Sequence, residues 1–237
     1  MQATQQPLSV PHRFHGPPSS GNGGWTAGAL AERLTVDDRG TAITVALRLP
    51  PPLDVPLEVI TTDAGVAALH DGRPVAEARP ASAALVTVAP APPDEAADAE
   101  TRFPGHESHP FPTCFTCGPG REPGDGLRIF PGRLAADAAR VAATWTPYDV
   151  SVPITWAALD CSGGWASGIE ERPAVLGTIS LRLDRLPTSG ERHVVVGELR
   201  GTEGRKIYTA STLYSPDGAV VATAEHVWIA IDPKDFS

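Results

Sequence analysis

The sequence is short of several things at once. It has three cysteines in 237 residues, too few for a disulfide framework. No apolar run approaches the roughly 18 residues that read as a membrane-spanning helix. Positive charge is also scarce: 19 Lys and Arg face 28 Asp and Glu, a net charge of −9. A field of that sign opposes approach to nucleic-acid phosphates or an anionic membrane surface, so neither is expected as a partner. The polar start MQATQQPLSV has none of the charge and apolar patterning of a secretory leader, and the expected location is cytoplasmic.

What is present reads as an ordinary globular chain, 41% hydrophobic and 20% charged. Its 25 prolines and 23 glycines favour strands, turns and extended connections over long helices. The sharpest shift in composition is the string PAPPDEAADAETRFPGHESHPFP, Pro90 to Pro112. It is proline-rich and acidic without a periodic apolar pattern, which predicts an extended, solvated linker. The organisation expected is therefore a first unit over residues 1–90, a linker over 91–112 and a second unit over 113–237.

The two units share ordered features. Leu-Arg-Leu occurs in the strand-like runs TAITVALRL, Thr41 to Leu49, and GTISLRLDRL, Gly177 to Leu186. Each is followed by an Asp-Gly string with apolar alternation, from Asp71-Gly72 to Ala78 and from Asp217-Gly218 to Ala224, which reads as a hairpin turn entering a strand. Ahead of each Leu-Arg-Leu lies one helix candidate. WTAGALAERL follows Asn22-Gly23-Gly24, and ITWAALDCSGGWAS follows Ser151-Val152-Pro153. Each unit thus reads as one helix followed by antiparallel strands. Two such units must share a core to bury both faces of their elements.

The run CFTCGPGREPGDGLRIFPG from Cys114, and Asp160 with Gly164-Trp165-Ala166 after it, resemble the hotdog-fold acyl-CoA thioesterases. The resemblance covers Cys114 to Ile231. It implies an α+β double hotdog, two tandem repeats each with a central helix wrapped by a curved antiparallel sheet. The family's His-Gly-Gly helix start should stand nine residues before Asp160, but Ser151-Val152-Pro153 stands there. In the first unit Asn22-Gly23-Gly24 occupies the equivalent place, with Ala31 where the acid belongs. Family sites form between paired units, so the resemblance implies one composite site in which Asn22, Gly23 and Gly24 face Asp160. A second register, pairing Gly23-Gly24-Trp25 with Gly163-Gly164-Trp165, would place Asp160 before its helix and spoil that site.

In this reading Gly24 N–H polarises a thioester carbonyl and Asp160 acts as general base or nucleophile. Asn22 caps the helix and orients a carbonyl or water; it cannot exchange a proton near neutral pH as His does. Gly23, Trp25 and Trp156 are the expected substrate-binding residues, and Arg121, Arg128, Arg205 and Lys206 are candidates for the phosphates of CoA. The activity implied is hydrolysis of a small or medium acyl-CoA or other acyl thioester. The alternatives are a non-catalytic module binding an acyl thioester or hydrophobic ligand, and a hydratase. No cofactor is expected. Exposed sheet edges could support a homo-oligomer.

His106, His109, Cys114 and Cys117 form an H-x2-H-x4-C-x2-C string with four potential zinc ligands. With no second C-x-x-C, the cysteines read instead as small buried residues, and no metal is expected.

Overall fold

The computed structural model describes residues 5–36 and 40–232; residues 1–4, the first part of the polar start, lie outside them. Helix α1, Gly23–Ala31, begins where Asn22 accepts the Trp25 N–H in its side-chain carbonyl. Four strands follow: β1, Ile43–Leu47; β2, Glu58–Thr62; β3, Gly65–His70; and β4, Arg73–Pro80. Later in the chain α3, Val152–Ala166, starts at Ser151, whose side chain accepts the Ile154 N–H, with Pro153 in the first turn. There proline loses no helical hydrogen bond. Four strands follow again: β7, Ala174–Leu183; β8, His193–Glu203; β9, Lys206–Tyr214; and β10, Val220–Ala230. Between the two sets lie α2, Pro93–Glu100; β5, Gly132–Leu134; and β6, Asp137–Trp145.

The strings shared by the two halves occupy equivalent places. Asp71-Gly72 makes the β3–β4 turn with both residues at positive φ, 49° and 72°, while Gly218 at φ 80° lies in the β9–β10 connection. Positive φ at both central residues is the hairpin geometry that Asp-Gly favours. The ten strands form one antiparallel sheet in the order β2-β3-β4-β1-β7-β10-β9-β8-β6-β5. The two four-stranded sets meet at the β1–β7 seam, where Val45 pairs with Ile179 and Thr44 with Ser180, and β6 and β5 extend the second set. On either side of that seam the order is the same, read outward: first strand, fourth, third, second.

Helices α1 and α3 pack on one face of this sheet and against each other. Glycine permits the close crossing. A Cβ on Gly24 would lie 2.9 Å from Ala157 Cα, and one on Gly28 would lie 2.7 Å from Pro153 Cα. The crossing also fixes the helix register. Gly163-Gly164-Trp165 falls in the last turns of α3, so the competing alignment, which needed it at a helix start, is not the one adopted.

The Pro90–Pro112 segment is not extended. Pro92 and Pro93 sit at the start of α2 with Asp94 and Glu95 in its first turn, positions where a missing N–H costs nothing and negative charge meets the helix dipole. Ala96 and Ala99 are fully buried among Leu134, Ala142, Val194, Val196, Ala210 and Tyr214. These residues belong to the sheet face opposite α3: Val195, one residue out of phase with Val194 and Val196, joins the inner core instead. Apolar residues on both faces of β8 explain why a segment expected to be solvated is held down as a second layer.

Candidate functional site

The α1–α3 crossing brings the start of one helix to the middle of the other. Gly24 N–H donates to Asp160 Oδ2 at 2.9 Å. The Asp160 side chain is buried, and its second oxygen, Oδ1, has no hydrogen-bond partner. Burial pushes the Asp160 carboxyl up to about 7, against the pull of the Gly24 N–H and the Asn22 amide. A carboxyl in that range can hold or release a proton near neutral pH. Asn22 accepts from Trp25 N–H at 2.8 Å and points its amide at Thr116 Oγ1, 3.4 Å away. Thr116 in turn donates to Ala157 O at 3.1 Å. The loop at Cys114 therefore ties the start of α1 to α3.

Asp160, Asn22 and Gly23 line a cavity of about 330 Å³, a volume at the lower end of small-molecule sites. Leu47 and Leu176 form part of its wall beside Gly23, where an added Cβ would meet Leu176 at 2.9 Å. Trp165, Trp228 and Ile229 supply further apolar wall, and Arg48 and Arg205 supply cationic groups.

Six residues singled out in the sequence are placed differently from expectation. Gly24 N–H is engaged by Asp160, so in this arrangement it is not free for a substrate oxygen. Trp25 stacks on Phe14 with ring centroids 4.4 Å apart, and Trp156 is buried against Gly28; neither lines the cavity. Of the cationic candidates only Arg205 reaches it. Arg121 is spent on Thr113 O, Arg13 O and Asp125. Arg128 donates to Pro119 O and Arg121 O, and Lys206 pairs within the sheet opposite Glu203.

Sequence reasoning missed Trp228 and Cys161. For Trp228 a signal was present: His226 and Trp228 are two apart in a strand, hence on one face, and both are buried. Cys161 follows Asp160 directly, and its sulfur lies 3.8 Å from that of Cys114. His109 Nε2 lies 3.4 Å from Cys117 Sγ, whereas His106 packs on the rings of Phe103 and Phe130.

No protein-family model matches the chain, and neither does any curated protein. Solved structures do. A protein of unknown function with hot dog fold from Alicyclobacillus acidocaldarius matches at TM-score 0.59 and 14% identity, over 98% of this chain and 96% of that one. The acyl-CoA thioesterase II TesB2 of Mycobacterium marinum matches at 0.57 and 15%, over 99% and 98%. The tesB protein of Mycobacterium avium subs paratuberculosis matches at 0.57 and 13%, over 98% and 93%. At these identities the likeness establishes the fold alone, a hotdog fold spanning nearly the whole chain, and the two sets of strands around the β1–β7 seam fit a double hotdog.

Proposed function

We propose that the protein hydrolyses a small or medium acyl thioester, acyl-CoA being the substrate class that fits best. The observation that carries this reading is Asp160: a carboxylate with one oxygen held by a helix-start N–H and the other unpartnered, on the wall of a mostly apolar cavity. The acyl chain lies along Leu47, Leu176 and Trp228, with the pantetheine and phosphates leaving past Arg48 and Arg205.

In the proposed step Asp160 Oδ1 takes a proton from water as the water oxygen attacks the thioester carbon. The developing oxyanion sits at the start of α1, where the helix dipole favours negative charge. With Gly24 N–H holding Asp160, the donor left for the oxyanion is the N–H of Gly23, the first residue of α1 and part of the cavity wall. The C–S bond then breaks and the thiol leaves with a proton returned from Asp160. The same dyad can also act with Asp160 as nucleophile through an acyl-carboxylate intermediate. Asn22 cannot supply a proton to this chemistry, which weighs against a hydratase.

The test is release of free thiol from acyl-CoAs of graded chain length, for the native chain and for Asp160→Ala. We expect turnover that falls about a thousandfold in the variant. Turnover unchanged without Asp160 would overturn the mechanism. Absence of turnover on every member, with the protein folded and an acyl-CoA raising its melting temperature, would replace hydrolysis by binding.

A further inference from the structure

Beside the proposed acyl site stands a second group of chemistry-bearing side chains that the hydrolysis reading does not use. Cys114, Cys117 and Cys161 are free, buried, and have sulfur atoms all within 4.8 Å of one another. Two come from the loop before β5 and the third from α3, 44 residues after Cys117. All three line the cavity. From these contacts we propose that Cys114, Cys117 and Cys161 bind a zinc ion through three thiolates, with the fourth coordination position open to the cavity.

The spacing fits. Tetrahedral zinc with Zn–S bonds of about 2.3 Å holds its sulfurs about 3.8 Å apart, and Cys114 Sγ and Cys161 Sγ are already 3.8 Å apart. The turn carrying the first two cysteines is closed tightly on itself. Gly118 N–H donates to Cys114 O at 2.9 Å, and a Cβ on Gly118 would lie 2.6 Å from both Cys114 N and Cys114 O. Cys114 and Cys161 are thus already at zinc spacing, and the ion would draw Cys117 in from within 4.8 Å.

Two side-chain N–H groups are aimed at the sulfurs. Asn22 Nδ2 points at Cys114 Sγ from 3.7 Å. His109 Nε2 faces Cys117 Sγ at 3.4 Å, while its Nδ1 accepts the Phe111 N–H at 2.9 Å. That acceptor role puts the proton on Nε2, so His109 serves as a donor to the sulfur rather than as a fourth ligand. A neutral thiol is a weak acceptor, and a set of N–H groups aimed at two sulfurs is the outer shell expected of metal-bound thiolates.

Protons balance simply. Zn²⁺ replaces three S–H protons, which pass to solvent, leaving three thiolates and one cation with net charge −1. Affinity must then rise with pH. A water from the cavity completes the coordination, and the open position is also a place where a small thiol could bind.

The experiment is titration of the full-length, reduced, chelator-treated protein with Co²⁺ and then Zn²⁺. One equivalent of Co²⁺ should give sulfur-to-cobalt charge-transfer absorption of three thiolates with tetrahedral ligand-field bands, and one equivalent of Zn²⁺ should abolish both. Cys161→Ser should weaken Zn²⁺ binding by about a hundredfold or more and lower the charge-transfer intensity by about one third, whereas His109→Gln should weaken binding only about tenfold with the intensity kept. A measurement on the native chain guards against a variant that fails to fold: Zn²⁺ should protect all three cysteines from alkylation. Absence of the charge-transfer bands, unchanged intensity in folded Cys161→Ser, or no protection from alkylation would overturn the proposal. None of these readouts depends on thioester hydrolysis, so the two readings fail separately.

Discussion

Helices α1 and α3 occupy corresponding places in the two halves, yet only one of their two meeting points brings an N–H donor and a carboxylate together. Where the start of α1 meets the middle of α3, Gly24 offers an N–H and Asp160 a carboxylate, and the two are bonded. In the matching positions α3 has Pro153, which has no N–H, and α1 has Ala31, which has no carboxylate. The backbone crossing is tight at both meeting points. Packing and chemistry are therefore separable here: the fold needs two close crossings, while the proposed site needs donor and acid together and has them once.

The largest effect that would sharpen this contrast is electrostatic. The Asp160 carboxyl is raised from 3.8 to about 7 in the folded protein, so the folded state binds its proton more tightly than the unfolded chain does. Stability from this group is whole below about 4 and is lost as pH rises to about 7. Asp160→Asn can still accept from Gly24 N–H but carries no charge. It should be more stable than the native chain at pH 8, by at most about 4 kcal/mol, with the gap closing toward pH 4. Denaturant melts of both proteins across that range check it. A constant gap would mean that burial does not control Asp160.

Gly24→Ala comes next, since its Cβ would lie 2.5 Å from Asp160 Cβ and 2.8 Å from Trp156 O. The helices must part, at a cost of about 3 kcal/mol, and turnover should fall because the dyad loses its spacing. Ala31→Ser adds a small polar group at the unequipped crossing and should leave turnover within twofold; a large loss there would break the distinction between the two meeting points. Asn22→Ala removes a helix cap and should lower stability by about 1 kcal/mol, with a smaller loss of thiol release than Asp160→Ala. Thermal melts and the thiol assay read both effects together.

Much of this was legible because the informative signals are local. Turn residues with positive φ at Asp71-Gly72, helix caps at Asn22 and Ser151, and the nine-residue offset from helix start to acid depend on few neighbours. What could not be read depends on which way buried residues face. Every residue of α3 from Pro153 to Ala166 is buried, as are seven of the nine in α1. A helix buried all round has no apolar stripe to orient it. Nothing in the sequence could then say that Trp156 turns to Gly28 while Trp165 turns to the cavity. The same blindness hid Cys161, whose meeting with Cys114 and Cys117 is made only by folding. Helix α2 was obscured for a different reason: its two leading prolines read as extended chain until a partner face is known.

The β1–β7 seam joins two similar halves that belong to one polypeptide. In a symmetric dimer of identical subunits, every substitution would appear at both crossings, and exchanging a helix-start glycine for proline would disable both sites together. Covalent fusion lifts that constraint. One crossing can keep the donor and the acid while the other accepts Pro153 and Ala31, so a chain of this kind can give up one of two symmetry-related pairings and still hold the other.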